Sequence, residues 1–250
     1  MTIEKIVLIT GASRGIGAAT ALLAAQQGYT VCVNYLRNHA AAQKVVTTIH
    51  ANGGKAFAIA ADVAQETEVV RLFAELDHVG GRLAGLVNNA GILEKQMRVL
   101  DMDAARLNRI LSTNITSAFL CAREAIKRMS TQRGGQGGAI VNVSSAASRL
   151  GSANEYVDYA ASKGAIDTFT LGLAREIAQE GIRVNAVRPG LIATDIHASG
   201  GEATRIARLA PLVPMQRGGE AQEVAEAIVW LLSEKASYVT GSLLDISGGR

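Results

Sequence analysis

The segment "EYVDYAASKG", residues 155–164, sets two tyrosines, a serine and a lysine within ten positions. A helix through it places Tyr159 and Lys163 one turn apart on one face, where an ammonium can set the ionisation of a phenol. Tyr156 lies two turns from Lys163, about 10 Å of helix rise, too far for a direct partner. Only Tyr159 has the spacing for proton chemistry with this lysine. Taken alone, the segment fits equally well as an aromatic stripe beside a solvated lysine.

A second chemical cluster is "TGASRGIG", residues 10–17. Its spacing, G-x-x-x-G-x-G, departs from the G-x-G-x-x-G dinucleotide fingerprint, but the physical task is the same. Glycines let the chain turn sharply against a pyrophosphate, and a following helix N-terminus offers free N–H groups. Gly11, Ser13, Arg14, Gly15, Ile16 and Gly17 are therefore expected to hold phosphates, although glycine also serves packing at many strand–helix joints. After the second strand run the chain reads Asn34, Tyr35, Leu36, Arg37, Asn38, with no carboxylate to receive the adenosine ribose hydroxyls. Arg14 and Arg37 have planar forks suited to a 2′-phosphate, so the expected cofactor is NADP(H), with Tyr35 beside it, rather than NAD. Asp62, with Val63 in "AADV", is placed to meet the adenine; capping the next helix is its alternative role.

These residues must be carried by regular elements, and short β-rich runs alternate with helical stretches along the chain. Strands are expected over 5–10, 30–35, 55–60, 83–89, 139–145, 182–187 and 242–247. Helices are expected over 15–28, 38–51, 66–79, 104–129, 157–180 and 220–233. Unbroken apolar strands between helices predict a Rossmann-like, doubly wound parallel α/β sheet in a single domain over 1–250. Ligands bind such sheets at the carboxyl ends of the strands, and every cluster named here falls at one. The irregular stretch inside about 191–217 suits a substrate lid, with Ile196, Leu209, Leu212, Val213 and Met215 as its apolar walls. His197 within it is expected at the surface.

Composition narrows the function. In 250 residues, hydrophobic side chains make up 48% and charged ones 19%, which is globular. The net charge of +3 is scattered and aromatics are only 4%, which argues against nucleic-acid binding. No stretch reads as a membrane span or signal peptide. Cys32 and Cys121 read as buried thiols, which fits a cytoplasmic address. No His/Cys/Asp cluster has ligand spacing, so no metal is expected.

Taken together, the chain resembles the short-chain dehydrogenase/reductase family along nearly its whole length. The resemblance rests on "TGASRGIG" (10–17), "NNAG" (88–91), Asn114 in "LSTNITSAF", "NVSS" (142–145), "YAASK" (159–163) and "RPG" (188–190). It is nearest a bacterial branch of glucose-dehydrogenase-like and 3-oxoacyl-reductase-like members. The resemblance implies an oxidoreductase moving a hydride between a nicotinamide cofactor and a small carbonyl or secondary alcohol. It implies Asn114, Ser145, Tyr159 and Lys163 as the active site. Tyr159 is then the acid/base, its pKa lowered by Lys163 and by the positive nicotinamide of the oxidised cofactor. Ser145 holds the substrate oxygen, Lys163 also bonds the nicotinamide ribose, and Asn114 holds a relay water. Asn89, Ala90 and Gly91 are implied beside the cofactor ribose, and Pro189, Gly190, Ile192 and Thr194 near the nicotinamide. A homotetramer is implied as well. Ser145 and Tyr159 stand 14 apart, one more than the family's usual spacing, which implies an extra loop residue and leaves Ser144 as a competing serine. A dinucleotide sensor without turnover is the alternative from another class; damage to the Tyr–Lys–Ser set would favour it, and the set is intact.

Overall fold

The computed structural model describes residues 3–202 and 204–250, except the side chains of His197 and Ala198. The expected surface position of the His197 side chain therefore lies outside the described residues.

In chain order the elements are β1 (Lys5–Ile9), α1 (Gly15–Gln26), β2 (Thr30–Tyr35), α2 (His39–Ala51), β3 (Lys55–Ala60), α3 (Glu66–His78) and β4 (Arg82–Asn88). There follow α4 (Ala104–Leu111), a π-helical turn (Ser112–Thr116), α5 (Ser117–Met129), β5 (Gly138–Val143), α6 (Ala147–Leu150), α7 (Val157–Ile177) and β6 (Ile182–Pro189). The chain closes with β7 (Ile192–Ala193), α8 (Ile196–Ser199), α9 (Arg205–Leu209), β8 (Gly219–Glu220), α10 (Ala221–Leu232) and β9 (Leu243–Ile246).

Seven strands form one parallel sheet in the order β3-β2-β1-β4-β5-β6-β9. The order reverses at β1, which pairs with β2 on one side and β4 on the other. Alternating side chains feed two separate cores. Val7, Ile9, Val31, Val33 and Val141 pack on one face with residues of α1, α2 and α10. Ile6, Leu8, Cys32 and Ile140 pack on the other with residues of α3, α5 and α7. The sheet is thus covered on both faces, as its continuous apolar strands require. The two thiols are free and buried.

One expected helix is broken. The stretch 104–129 is not continuous, because a π-helical turn separates α4 from α5 and carries Asn114. A π turn holds an extra residue, so it shifts the helical face. Of the apolar residues spaced for burial there, Ile110 and Ala122 are buried while Leu107, Leu111 and Phe119 are exposed. Phe119 stacks on Phe169 of α7, with ring centroids 3.8 Å apart.

The lid walls also need correction. Leu212 and Met215 are 67% and 61% exposed, and Val213 joins Leu191 and Leu209 in a small separate core. Ile196 and Leu209 do face the large cleft, with Leu191 beside them. Among the described residues, no helix is long and apolar enough to cross a membrane.

Candidate active site

A cleft of about 920 Å³ opens along the carboxyl ends of the strands where the order reverses. The glycine loop forms its floor. Gly11 and Gly15 take positive φ of 62° and 55°, a conformation strained for any residue with a Cβ. A Cβ on Gly17 would sit 2.5 Å from Asn89 Nδ2 and 2.8 Å from Gly11 O, so the loop can fold this tightly only on glycine.

That floor is tied to the turn after β4 through Thr10. Its hydroxyl accepts from the N–H groups of Asn89 (3.0 Å) and Ala90 (2.9 Å). Asn89 Nδ2 in return donates to the carbonyls of Thr10 (2.8 Å) and Gly11 (3.1 Å). Asn34, buried at the end of β2, accepts from Gly11 N and donates to the carbonyls of Ile59 and Ala61. Thr10 and Asn34 are positioning groups that sequence reasoning passed over. A polar residue inside an apolar strand end was the available signal.

At one end of the cleft lie Arg14, Tyr35, Arg37, Asp62 and Val63. Among the described residues neither Arg14 nor Arg37 has a carboxylate at ion-pair distance, and both are exposed. Asp62 Oδ1 accepts from Ala64 N at 3.0 Å, closing the turn ahead of α3 rather than capping the helix itself. The Tyr35 hydroxyl meets His39 Nδ1 at 2.7 Å.

At the other end α7 brings Tyr159 and Lys163 to the end of β5. Lys163 is only 5% exposed, and its Nζ donates to Val143 O at 2.7 Å. Ser144 is buried and donates to Lys163 O at 3.1 Å, so it is committed to packing. Ser145 is the serine close enough to the Tyr159 phenol to act on its ionisation, and its Oγ accepts from Ala147 N. The intervening loop that carries the extra residue has Ser152 and Asn154 in the left-handed region, at φ 48° and 62°. Tyr156 caps α7, outside the helical spacing assumed for it, and donates to Gly200 O at 3.1 Å.

Asn114 lies behind the cleft wall. Its Oδ1 accepts from Ile92 N (2.8 Å), and its Nδ2 donates to Ile92 O (3.0 Å) and Ser162 Oγ (3.1 Å). Both amide hydrogens are spent, so only oxygen lone pairs remain for a water. A Cβ built on Gly91 would lie 3.4 Å from Asn114 Oδ1 and 3.5 Å from Lys163 Nζ, so both atoms converge on that turn. Gly17 also lies behind the wall. Ser13, Ile16, Asn89, Ala90, Pro189, Gly190, Ile192 and Thr194 all line the cleft. Thr194 lies over Gly15, with its Cγ2 3.4 Å from a Cβ built there.

The chain by itself biases Tyr159 toward its protonated form. Burial raises the Tyr159 pKa above the usual phenol value, and the Ser145 hydrogen bond offsets this only in part. The Lys163 ammonium lies 5.6 Å from the ring centroid and donates one hydrogen to Val143 O, and its charge does not outweigh burial of the phenol. Burial lowers Lys163 itself to about 8, with Asp167 opposing.

A family model described as enoyl-(acyl carrier protein) reductase matches residues 11–250. An Escherichia coli K12 protein named uncharacterized oxidoreductase YgfF is 63% identical over 98% of this chain and 99% of its own length. The chain belongs to the short-chain dehydrogenase/reductase family. Another relative, the 3-oxoacyl-[acyl-carrier-protein] reductase FabG of Staphylococcus aureus, is 37% identical, covering 100% of this chain and 99% of its own. A dehydrogenase/reductase from Sinorhizobium meliloti 1021 superposes with a TM-score of 0.91 at 31% identity, covering 99% and 95% of the two chains. As a short-chain dehydrogenase/reductase, the chain is an oxidoreductase of the carbonyl/CH–OH class.

The lysine's environment has a measurable consequence. Because the fold disfavours the charged amine, its stability cost is full below pH 8. The cost is relieved as the pH rises from about 8 toward 10.5, where the unfolded chain holds the proton and the native one does not. Wild-type stability relative to Lys163→Met should rise by on the order of 2–3 kcal/mol between about pH 7.5 and about pH 10. Denaturant titrations with equal pH slopes for the two proteins would refute the buried ammonium.

Proposed function

We propose that the protein is an NADP(H)-dependent oxidoreductase that interconverts a small carbonyl compound and a secondary alcohol, with Tyr159 as general acid/base. The observation that carries this is the convergence of Tyr159, Ser145 and Lys163 in one cleft with the glycine loop.

The cleft fits a dinucleotide on its own geometry. The glycine loop turns at Gly11 and Gly15 with positive φ along the cleft, and at one end two guanidiniums stand without acidic partners among the described residues. Gly11, Ser13, Gly15 and Ile16 would hold the pyrophosphate. Arg14 and Arg37 would hold the 2′-phosphate, with Tyr35, Asp62 and Val63 around the adenosine. Asn89, Ala90, Gly91 and Lys163 would meet the nicotinamide ribose, and Pro189, Gly190, Ile192 and Thr194 the carboxamide end. When bound, the cofactor supplies or accepts the hydride.

The chain's own residues handle the oxygen and the proton. Burial keeps the Tyr159 phenol protonated, so it donates to the oxygen of a carbonyl as negative charge develops there. Ser145, beside that phenol, holds the same oxygen. Lys163 gives the site its positive charge, and an oxygen lone pair of Asn114 takes the relay water beside it. The segment 191–217 closes over the substrate, with Leu191, Ile196 and Leu209 as its apolar lining. The names of the 3-oxoacyl-reductase relatives put 3-oxoacyl thioesters into the substrate panel, beside simple ketones and sugars.

Tyr159→Phe keeps the ring and removes the proton. Turnover on the best substrate of that panel should be lost while cofactor affinity is nearly unchanged. Retained steady-state activity would remove Tyr159 from the mechanism.

NADPH should bind about tenfold to a few hundredfold more tightly than NADH. Charge-assisted bonds contribute roughly 1.5–3 kcal/mol each, reduced here by exposure of both arginines. Arg37→Ala should weaken NADPH and hardly affect NADH, with the gap narrowing at high salt. Fluorescence titration of both cofactors decides this, and equal wild-type affinities overturn the NADP assignment alone.

The homotetramer belongs to the same reading. Leu107, Leu111, Phe119 (48% exposed) and Leu171 leave an apolar face on α4, α5 and α7, and Gly172 leaves open space beside it. Light scattering should give four times the mass of one chain; the mass of a single chain at micromolar concentration contradicts it.

A further inference from the structure

The first turn of α7 is held by a buried ion pair that hydride transfer does not itself call for. Arg106 of α4 and Asp158 of α7 are 4% and 5% exposed, and Arg106 Nε donates to Asp158 Oδ2 at 2.7 Å. The other carboxylate oxygen accepts from the backbone N–H of Tyr159 at 2.9 Å. Arg106 Nη1 reaches the carbonyl of Lys95 at 2.8 Å, and Nη2 is buried with no partner among the described residues. Glu94 stands 3.9 Å from the guanidinium and is held by Arg109.

One guanidinium therefore joins three segments: α4, the stretch around Lys95 whose neighbour Leu93 lines the cleft, and the turn that carries Tyr159. As a source of stability this arrangement is poor. Desolvating two charges offsets most of their attraction, and the orphaned Nη2 adds to the cost. A well-packed apolar pair of similar volume would serve the fold as well. The ion pair does give direction, because a guanidinium fork fixes angles that apolar contacts leave loose.

We infer that Arg106 and Asp158 are positioning residues for Tyr159. The pair sets the first turn of α7 against the substrate-side wall, and so places the phenol against Ser145. This rests on the reading of Tyr159 as acid/base, and the experiment separates the two.

The main test is the double variant Arg106→Met/Asp158→Asn, which leaves no unpaired buried charge and keeps an amide oxygen for Tyr159 N. It should melt close to wild type and bind NADPH or NADH, whichever the wild type prefers, with unchanged affinity. Its kcat should nevertheless fall about tenfold to a hundredfold, the scale of a displacement near 1 Å. KM should change little, and the pH profile of kcat should shift as the Tyr159–Ser145 contact loosens. Arg106→Lys keeps the charge opposite Asp158 but cannot also reach Lys95 O, so its kcat should lie between. If the double variant does not fold, Arg106→Lys carries the test: reduced kcat with unchanged cofactor affinity supports the inference. Wild-type kcat and pH profile in the folded variant overturn it. Tyr159→Phe is measured alongside. If that protein is dead while the double variant is fully active, only the positioning role fails; if it turns over, the acid/base reading fails first.

Discussion

A single hydrogen bond, from the ammonium of Lys163 to the carbonyl of Val143, constrains most of the site. An amine taken out of water loses several kcal/mol of hydration, so it must find a partner where it stops. Here the partner is the last carbonyl of β5, and α7 has to cross the end of that strand for the two to meet. The next residue completes the joint in the opposite sense, since Ser144 donates to the carbonyl of Lys163. Below it, Asn142 Nδ2 donates to Thr170 Oγ1, and Asn88 Nδ2 donates to Asn142 Oδ1. A polar seam thus runs between β4, β5 and α7 through an otherwise apolar layer. With α7 fixed in this way, Tyr159 comes up one turn earlier, opposite Ser145.

The π turn answers a different requirement. Asn114 must face the turn at Gly91 and Ile92 while Ile110 and Ala122 still pack inward. An unbroken helix has one angular step per residue and cannot serve both faces over this length. The inserted residue shifts the phase, and the cost is Phe119 left outside on α5. Such bulges frequently mark functional sites. Asn114 also bonds Ser162, whose own hydroxyl donates to the carbonyl of Tyr159, so the turn after β4 and the catalytic stretch of α7 share one network.

The sheet was legible in the sequence because both its signals are local: apolar runs of strand length, and glycines at the strand ends. The seven strands and most helices fall within one or two residues of where these signals put them. The break at Asn114 was not legible, because "LSTNITSAF" holds no Gly or Pro and its weak helix formers do not single out a π turn; the turn satisfies Asn114 across space. Leu212 and Met215 read as pocket walls by hydropathy, yet their direction depends on how 205–217 fold back over Leu191. The contacts of Arg106 were equally hidden, since in the sequence it looks like one more solvated arginine. Lys95, Arg106 and Asp158 are brought together only by the packing of α4 on α7.

The ionisation of Tyr159 shows the same division between local signal and assembled environment. Helical spacing alone suggests a phenol acidified by its lysine, but the folded chain supplies the opposite bias. Burial raises the phenol and lowers the amine, and the amine's best bond is to a carbonyl rather than to the phenol. The chain by itself therefore favours protonated Tyr159, the form the proposed mechanism needs to protonate a developing alkoxide. The basic form is favoured by additional positive charge nearby, which adds to hydrogen bonding in offsetting desolvation of a phenolate. An oxidised nicotinamide carries that charge and a reduced one does not. On the proposed reading the protein contributes a protonated resting state, and the redox state of a bound nicotinamide would decide whether Tyr159 serves as acid or base.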